Sequence, residues 1–279
     1  MTDRSSGSTA IGPTAIGTPP WTRESLLAEM DSFRQVYDER PIQQNEGGMR
    51  SPHMFACWYL ARTLNPEVII ESGVFRGQST WLFETACPDA KLHCLDPAPL
   101  RRVYTSDRAQ YHTADFDQTD FGDVDGAKVL CFFDDHQNAY ERVKSMALKG
   151  FKQAIFEDNY PPGRGDCYSL KQAFSGAGFS PEAPKIGLRA KAVAKIKHRA
   201  GADGSVPANS AHARDLARAL DCYAEFPPIV KPDTTRWGDA WSEDRYPTPE
   251  AVNPDARPDD IFTEEATAYT WLCYLRLKD

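Results

Sequence analysis

The chain has 279 residues, 41% of them hydrophobic, and a formal net charge of −8. That length suits one α/β domain with attached segments better than two large domains. No apolar run approaches the roughly 20 residues of a membrane span, no charged-then-apolar leader opens the chain, and an acidic chain repels nucleic acid phosphates. The expectation is therefore a cytoplasmic protein that binds neither membrane nor nucleic acid. The seven cysteines are scattered, odd in number and without a CxxC pair, which argues against a disulfide framework and a structural zinc site. Cys94, Cys131 and Cys273 lie in apolar, strand-like runs and read as small core hydrophobes.

Residues 1–20 are mostly Ser, Thr, Gly and Pro, with the echo Thr9-Ala-Ile-Gly and Thr14-Ala-Ile-Gly. Such a composition buries too little surface to order itself, so a disordered tail is expected. Leu26, Leu27, Met30, Phe33 and Tyr37 have helical spacing over 21–39, with Thr22 as a cap. A polar, glycine-bearing loop follows over 43–50. Ser51-Pro52 then opens a second helix, serine as cap and proline at the first helical position, which stops near Asn65-Pro66. From there strands are expected over 68–70, 91–95, 110–113, 128–133 and 153–156, with helices over 79–86 and 138–148. This alternation predicts parallel pairing through right-handed crossovers. Farther on, 168–174 and 212–220 look helical, and 222–230 and 269–277 look like strands. The stretch 232–262 is rich in Pro, Asp and Trp, and a structureless run of that length usually covers a site.

Ligands of an open parallel sheet sit beyond the carboxyl ends of its strands. The first such end reads Ile69-Ile-Glu-Ser-Gly-Val-Phe-Arg-Gly-Gln-Ser-Thr80. Gly73 and Gly77 allow a tight turn, and Gln78, Ser79 and Thr80 open a helix whose free N–H groups can face an anionic group. Asp96, at the end of the next strand, is placed to accept hydrogen bonds from two ribose hydroxyls. Glu71 begins the turn, and a carboxylate suits an amino- or sulfonium-bearing ligand better than a pyrophosphate. Phe75 stands where a dinucleotide fingerprint would have glycine. Asp115 follows the third strand, where an adenine-contacting group would sit.

On these residues, 67–160 resembles a class I S-adenosylmethionine-dependent methyltransferase. The turn Glu71–Gly77 is similar to that family's first motif and Asp96 to its ribose-binding acid; Phe75 is a departure that leaves fewer glycines. The resemblance implies a Rossmann-like class I methyltransferase sheet, mostly parallel with an antiparallel last strand and helices on both faces. It divides the chain into a tail (1–20), an N-terminal helical segment (21–65) and an S-adenosylmethionine-binding α/β domain (66–279) with a lid-like insertion at about 180–262. The cofactor residues it implies are Glu71, Gly73, Phe75, Gly77, Ser79, Asp96 and Asp115, with His136 packing on the adenine.

Two further strand ends carry acids: Asp134-Asp135-His136 and Glu157-Asp158-Asn159. Parallel, neighbouring strands would project both clusters over one sheet edge, an oxygen-rich site suited to Mg²⁺ or Ca²⁺. Such an ion lowers the pKa of an acceptor hydroxyl and orients it. Asp135, Asp158 and Asn159 match the acid–acid–amide pattern of divalent-metal O-methyltransferases similar to catechol O-methyltransferase. Glu157-Asp158 and the run from Arg50 to Gly73 resemble cephalosporin-hydroxylase-like methyltransferase-fold proteins. The implied metal ligands are Asp135, Glu157, Asp158 and Asn159, and the cation Mg²⁺. Asp135 and His136 are the implied catalytic residues. His136 is the nearest base where catechol-type enzymes have a lysine at the Asn138 position, ahead of His53, His112 and Tyr160.

The expectation is an O-methyltransferase acting on the hydroxyl of a small molecule, a sugar or secondary metabolite. Its rivals are a methyltransferase-fold subunit that binds a partner or does other chemistry in the same pocket, and a dinucleotide oxidoreductase. Whether the chain is a homo-oligomer stays open. The basic run Lys185, Arg189, Lys191, Lys195, Lys197, Arg199 is either a solvated helix face or a cationic flap over an anionic substrate or cofactor.

Overall fold

The computed structural model describes residues 15–181 and 204–279. The basic run 185–199 lies outside the described residues. An eight-stranded sheet carries the fold, with strands β1 (Ala15–Ile16), β2 (Val68–Ser72), β3 (Lys91–Leu95), β4 (Ala109–His112), β5 (Val129–Phe133), β6 (Gln153–Phe156), β7 (Leu220–Glu225) and β8 (Cys273–Leu277). Their order is β1-β7-β8-β6-β5-β2-β3-β4. Strands β4, β3, β2, β5 and β6 are parallel, whereas β8 runs antiparallel to both β6 and β7. This is the expected Rossmann-like α/β sheet with an antiparallel last strand.

Helices α1 (Arg23–Asp38), α2 (Ser51–Leu64) and α3 (Gln78–Ala86) cover one face. Helices α4 (Ala139–Leu148), α5 (Leu170–Ser175) and α6 (Ser210–Ala219) cover the other. The period-two alternation of strands sorts the core cleanly. Ile69, Leu130, Phe132 and Ile155 pack towards α1–α3, and Ile70, Cys131, Phe133 and Phe156 towards α4–α6. All seven cysteines are buried and free.

Thr22 caps α1 through a capping box with Ser25. The cap of α2 is Arg50 rather than Ser51. Ser51 is already helical, and its N–H is satisfied from afar by Glu265 at 2.8 Å. Asn138 caps α4, its side chain accepting from the N–H of Glu141. The disorder expected over 1–20 does not hold for 15–20, because Ala15 and Ile16 pair with Ala224 and Tyr223; the exposed edge of β7 supplies the backbone partners that composition alone cannot reveal. Among the described residues no helix is long and apolar enough to cross a membrane.

Candidate active site

Two cavities open at the carboxyl ends of the parallel strands. The first, about 560 Å³, lies over β2, β3 and β5 and is lined by Gly73, Phe75, Asp96, Ala98, Asp115 and His136, among others. The second, about 650 Å³, lies over β5 and β6 and is lined by Asp134, Glu157, Asp158, Tyr160, Thr235 and Arg236, among others. Gly47, Gly48, Asp134 and His136 belong to both walls. The loop over 43–50 thus passes where the cavities meet.

The turn after β2 is built by backbone constraints. Gly73 has φ +99°, and a Cβ there would collide with the carbonyl oxygen of Asp134. Gly77 has φ +90°, and a Cβ there would strike the carbonyl of Tyr104. Phe75 also adopts a left-handed φ of 48°, and its N–H donates to Asp96 Oδ2 at 2.8 Å. Asp96 Oδ1 accepts from the N–H of Ala98 at 2.6 Å. Asp96 is therefore locked at the rim of the first cavity by two backbone donors, with lone pairs left for a ligand.

Glu71 departs from expectation. Its buried carboxylate faces α3 and accepts from the hydroxyls of Ser79 and of Thr80, the latter at 2.5 Å. Burial holds its pKa above the usual carboxylate range against those two hydrogen bonds. Glu71, Ser79 and Gly77 do not line the first cavity; they brace the turn from behind. Gly73, Phe75, Asp96, Asp115 and His136 do line it. Asp115 lines it with its carboxylate already gripped by Arg142 at 2.8 and 2.7 Å. The same Arg142, through Nε, donates to Asp135 Oδ2 at 2.9 Å. The Arg142 hydrogen bonds hold the pKa of Asp115 below the usual carboxylate range.

The expected metal ligands sort differently from the sequence pattern. Asp135 follows Phe133 onto the α4 side, where its Oδ2 also accepts from Ser72 Oγ at 2.7 Å. Asn159 is fully buried, donating to Tyr223 Oη at 2.9 Å and accepting from the N–H of Lys171 at 2.8 Å. Neither is available to an ion in the second cavity. The neighbour of Asp135 takes its place: Asp134, His136 and Asp158 each offer a ligand atom, all within 4.8 Å of one another. Asp134 continues the alternation of Leu130 and Phe132, which puts it on the α2 side with Glu157. That parity can be read from the sequence, whereas the acid–acid–amide pattern singled out Asp135, which lines the first cavity.

The electrostatics of this cluster are those of crowded anions. Burial, with repulsion from Glu157 and Asp158, raises the Asp134 carboxyl well above the usual range. Burial, with the Glu157 charge, pushes Asp158 up to about 6. His136, held at φ 53°, places Nδ1 3.0 Å from Asp158 Oδ2 and 3.1 Å from Asp166 Oδ1. Contact with those two carboxylates, Asp158 first, raises the imidazole to about 12. Apart from this contact with His136, the buried Asp158 Oδ2 has no geometrically formed hydrogen bond among the described residues. A buried carboxylate oxygen without a formed hydrogen bond, inside a ring of acids, fits a cation, and the oxygens of Asp134 and Asp158, with Glu157 on the same cavity wall, suit Mg²⁺ or Mn²⁺. The His136 nitrogen could join such an ion only by giving up the proton that Asp158 and Asp166 hold on it.

The wall opposite the acids comes from residues 233–246. Thr234 pairs with Ala240, and Trp271, fully buried, stacks between Trp237 and Trp241 at 5.9 and 5.0 Å. Arg164 is bound to Asp239 and to Tyr246 Oη, and it anchors this wall. His53 and His112 are not placed as bases either. His112 stacks on His93, and His53 is buried against Glu157. Tyr160 lines the second cavity, where burial and the nearby Asp158 charge raise its hydroxyl pKa, so it does not readily give up its proton.

No protein-family model matches the sequence, and no curated protein matches it. Among solved structures the chain is similar to a Podospora anserina methyltransferase with SAH bound, at 18% identity over 67% of this chain and 80% of that one, TM-score 0.36. It is also similar to the O-methyltransferase TomG from Streptomyces achromogenes in complex with SAM, at 16% identity over 66% and 86%, TM-score 0.32. A third similarity is to the plantazolicin methyltransferase BpumL with a desmethyl substrate analogue and SAH, at 9% identity over 92% and 94%, TM-score 0.39. At such low identity and TM-score, the chain's own cleft carries the functional argument.

Proposed function

We propose that this chain is an S-adenosylmethionine-dependent O-methyltransferase that acts on the hydroxyl of a small molecule with a divalent cation bound. The observation that carries it is the pair of cavities meeting at Asp134 and His136. One has the strand-end turn and the locked acid Asp96 that suit a nucleoside; the other has the acids that suit a cation and an acceptor oxygen.

The residues divide the work. Gly73 and Phe75 shape the turn against which the amino-acid end of the cofactor would lie, and Asp96 faces its ribose. Arg142 fixes the Asp115 wall and ties it to Asp135. Asp134, Asp158 and Glu157 would hold the cation, which supplies Lewis acidity at the acceptor hydroxyl. Methyl transfer needs oxygen, carbon and sulfur in line, so placement is the larger part of the task. His136, at the junction and hydrogen-bonded to Asp166, is the group best placed to hold a proton there.

Calorimetry tests the cofactor: S-adenosylmethionine and its demethylated product should both bind, and absence of binding by either removes the proposal. Turnover of a hydroxyl-bearing acceptor should stop in excess chelator and return with Mg²⁺ or Mn²⁺. Full activity in chelator would remove the cation alone.

A further inference from the structure

His53 is a buried histidine in the first turns of α2, 2% exposed, far in sequence from every acid of the cluster. Its Nε2 accepts the backbone N–H of Thr270 at 2.9 Å. A ring nitrogen that accepts has no proton, so the single proton of the neutral ring is on Nδ1. Nδ1 lies 2.6 Å from Glu157 Oε1, a short charge-assisted hydrogen bond from a neutral donor. The ring stands edge-on to Tyr269, centroids 5.7 Å apart at 87°. The other tautomer would set an Nε2–H against the Thr270 N–H, and turning the ring over would set carbon atoms where Nε2 and Nδ1 now bond, so tautomer and orientation are fixed together.

Glu157 needs such a partner. Its neighbours in the cavity, Asp134 and Asp158, are acids, and His53 is the hydrogen-bonding side chain that is not an acid. One oxygen is taken by His53; the other is left to the cavity. We propose that His53, locked as the Nδ1–H tautomer by the Thr270 N–H, is a positioning residue that aims the Glu157 carboxylate into the cavity that Asp134 and Asp158 line, towards a cation held there. This rests on the cation site proposed above, and it assigns to His53 a role beside the chemistry instead of the base role its sequence suggested. It also ties the cluster to the segment before β8: Thr267 and Ala268 line the same cavity, and Thr270 holds the ring.

Two measurements on the full chain test it. The first needs no cation. Nitrogen-15 NMR of labelled histidine should show one residue with Nδ1 protonated and Nε2 bare, and its Nδ1 signal should move in Glu157→Ala. A protonated Nε2, or no response to that substitution, overturns the pairing. The second is Mn²⁺ affinity by calorimetry and electron paramagnetic resonance. His53→Asn keeps an N–H near the Nδ1 position and should bind within about threefold of wild type, whereas His53→Leu, which fills the space without a donor, should lose about tenfold to a hundredfold. Wild-type affinity in His53→Leu, or equal loss in both variants, reduces His53 to packing and overturns the proposal. If the wild type binds no Mn²⁺, the cation site and the aiming role fall together, while the tautomer still reports whether the His53–Glu157 pair exists.

Discussion

Gly73 and Asp134 touch across two strand ends: the Asp134 N–H continues the ladder by donating to the Ser72 carbonyl at 2.8 Å, and the Asp134 carbonyl fills the space a Cβ on Gly73 would need. The turn that shapes the first cavity and the acid that opens the second are thus one packed unit. Gly73→Ala should be destabilising by about 2–3 kcal/mol, from a left-handed φ and a backbone collision combined. Thermal melts would show the loss of stability. S-adenosylhomocysteine affinity should fall with it, and a variant that melts and binds like wild type would contradict the packing described.

Asp134→Asn and Asp135→Asn, neighbours in sequence, should separate two functions. Asp134→Asn removes a cation ligand and should weaken Mn²⁺ binding with S-adenosylhomocysteine affinity little changed. Asp135→Asn loosens Arg142 and with it the Asp115 wall, so cofactor affinity should fall while Mn²⁺ binding stays. Calorimetry with each ligand on each variant reads the difference; the reverse pattern would return the site to Asp135.

Cation affinity should depend on pH through the acid cluster. Asp158 is raised from the usual carboxylate range to about 6 by burial and the Glu157 charge. A raised carboxyl binds its proton more tightly in the folded chain than in the unfolded one. Its contribution to stability is therefore full below about pH 4 and is lost as pH rises through about 6. The cation competes with that proton, so Mn²⁺ affinity should climb between pH 5 and 7. Melting curves with and without Mn²⁺ should diverge over the same interval, because bound cation offsets the repulsion of the ionised acids. Affinity independent of pH there would count against Asp158 as a ligand.

Lys171 and Glu225 form a buried pair at 2.6 and 2.7 Å, between α5 and β7. Burial pushes Glu225 up to about 7 even beside the lysine. Lys171→Met leaves that carboxyl unpaired and should cost about 3–5 kcal/mol of stability, and the double substitution Lys171→Met, Glu225→Leu should recover most of it. Denaturant unfolding of the three variants reads this coupling directly, and no recovery in the double variant would mean that the pair is not a closed unit.

The sequence by itself determined the alternating strands and helices, the turn from Glu71 to Gly77 and the position of Asp96. Those follow from local rules: hydrophobic period, caps, and glycines where φ must be positive. It also placed acids at the ends of β5 and β6. Which acid of each cluster meets its neighbours was decided by the tertiary structure. Strand parity sends Asp134 and Glu157 towards α2 and sends Asp135 to Arg142 on α4. Beyond the strand, the left-handed φ of His136 turns its ring back over Asp158. Glu71 looked like a ligand-facing acid because its spacing is right, yet the Ser79 and Thr80 hydroxyls one helical step away capture it. His53 and Glu157 are 104 residues apart, and the 15–16 edge strand finds its partner on β7. Contacts of that kind depend on which elements the sheet order makes adjacent, and no local pattern in the chain encodes them.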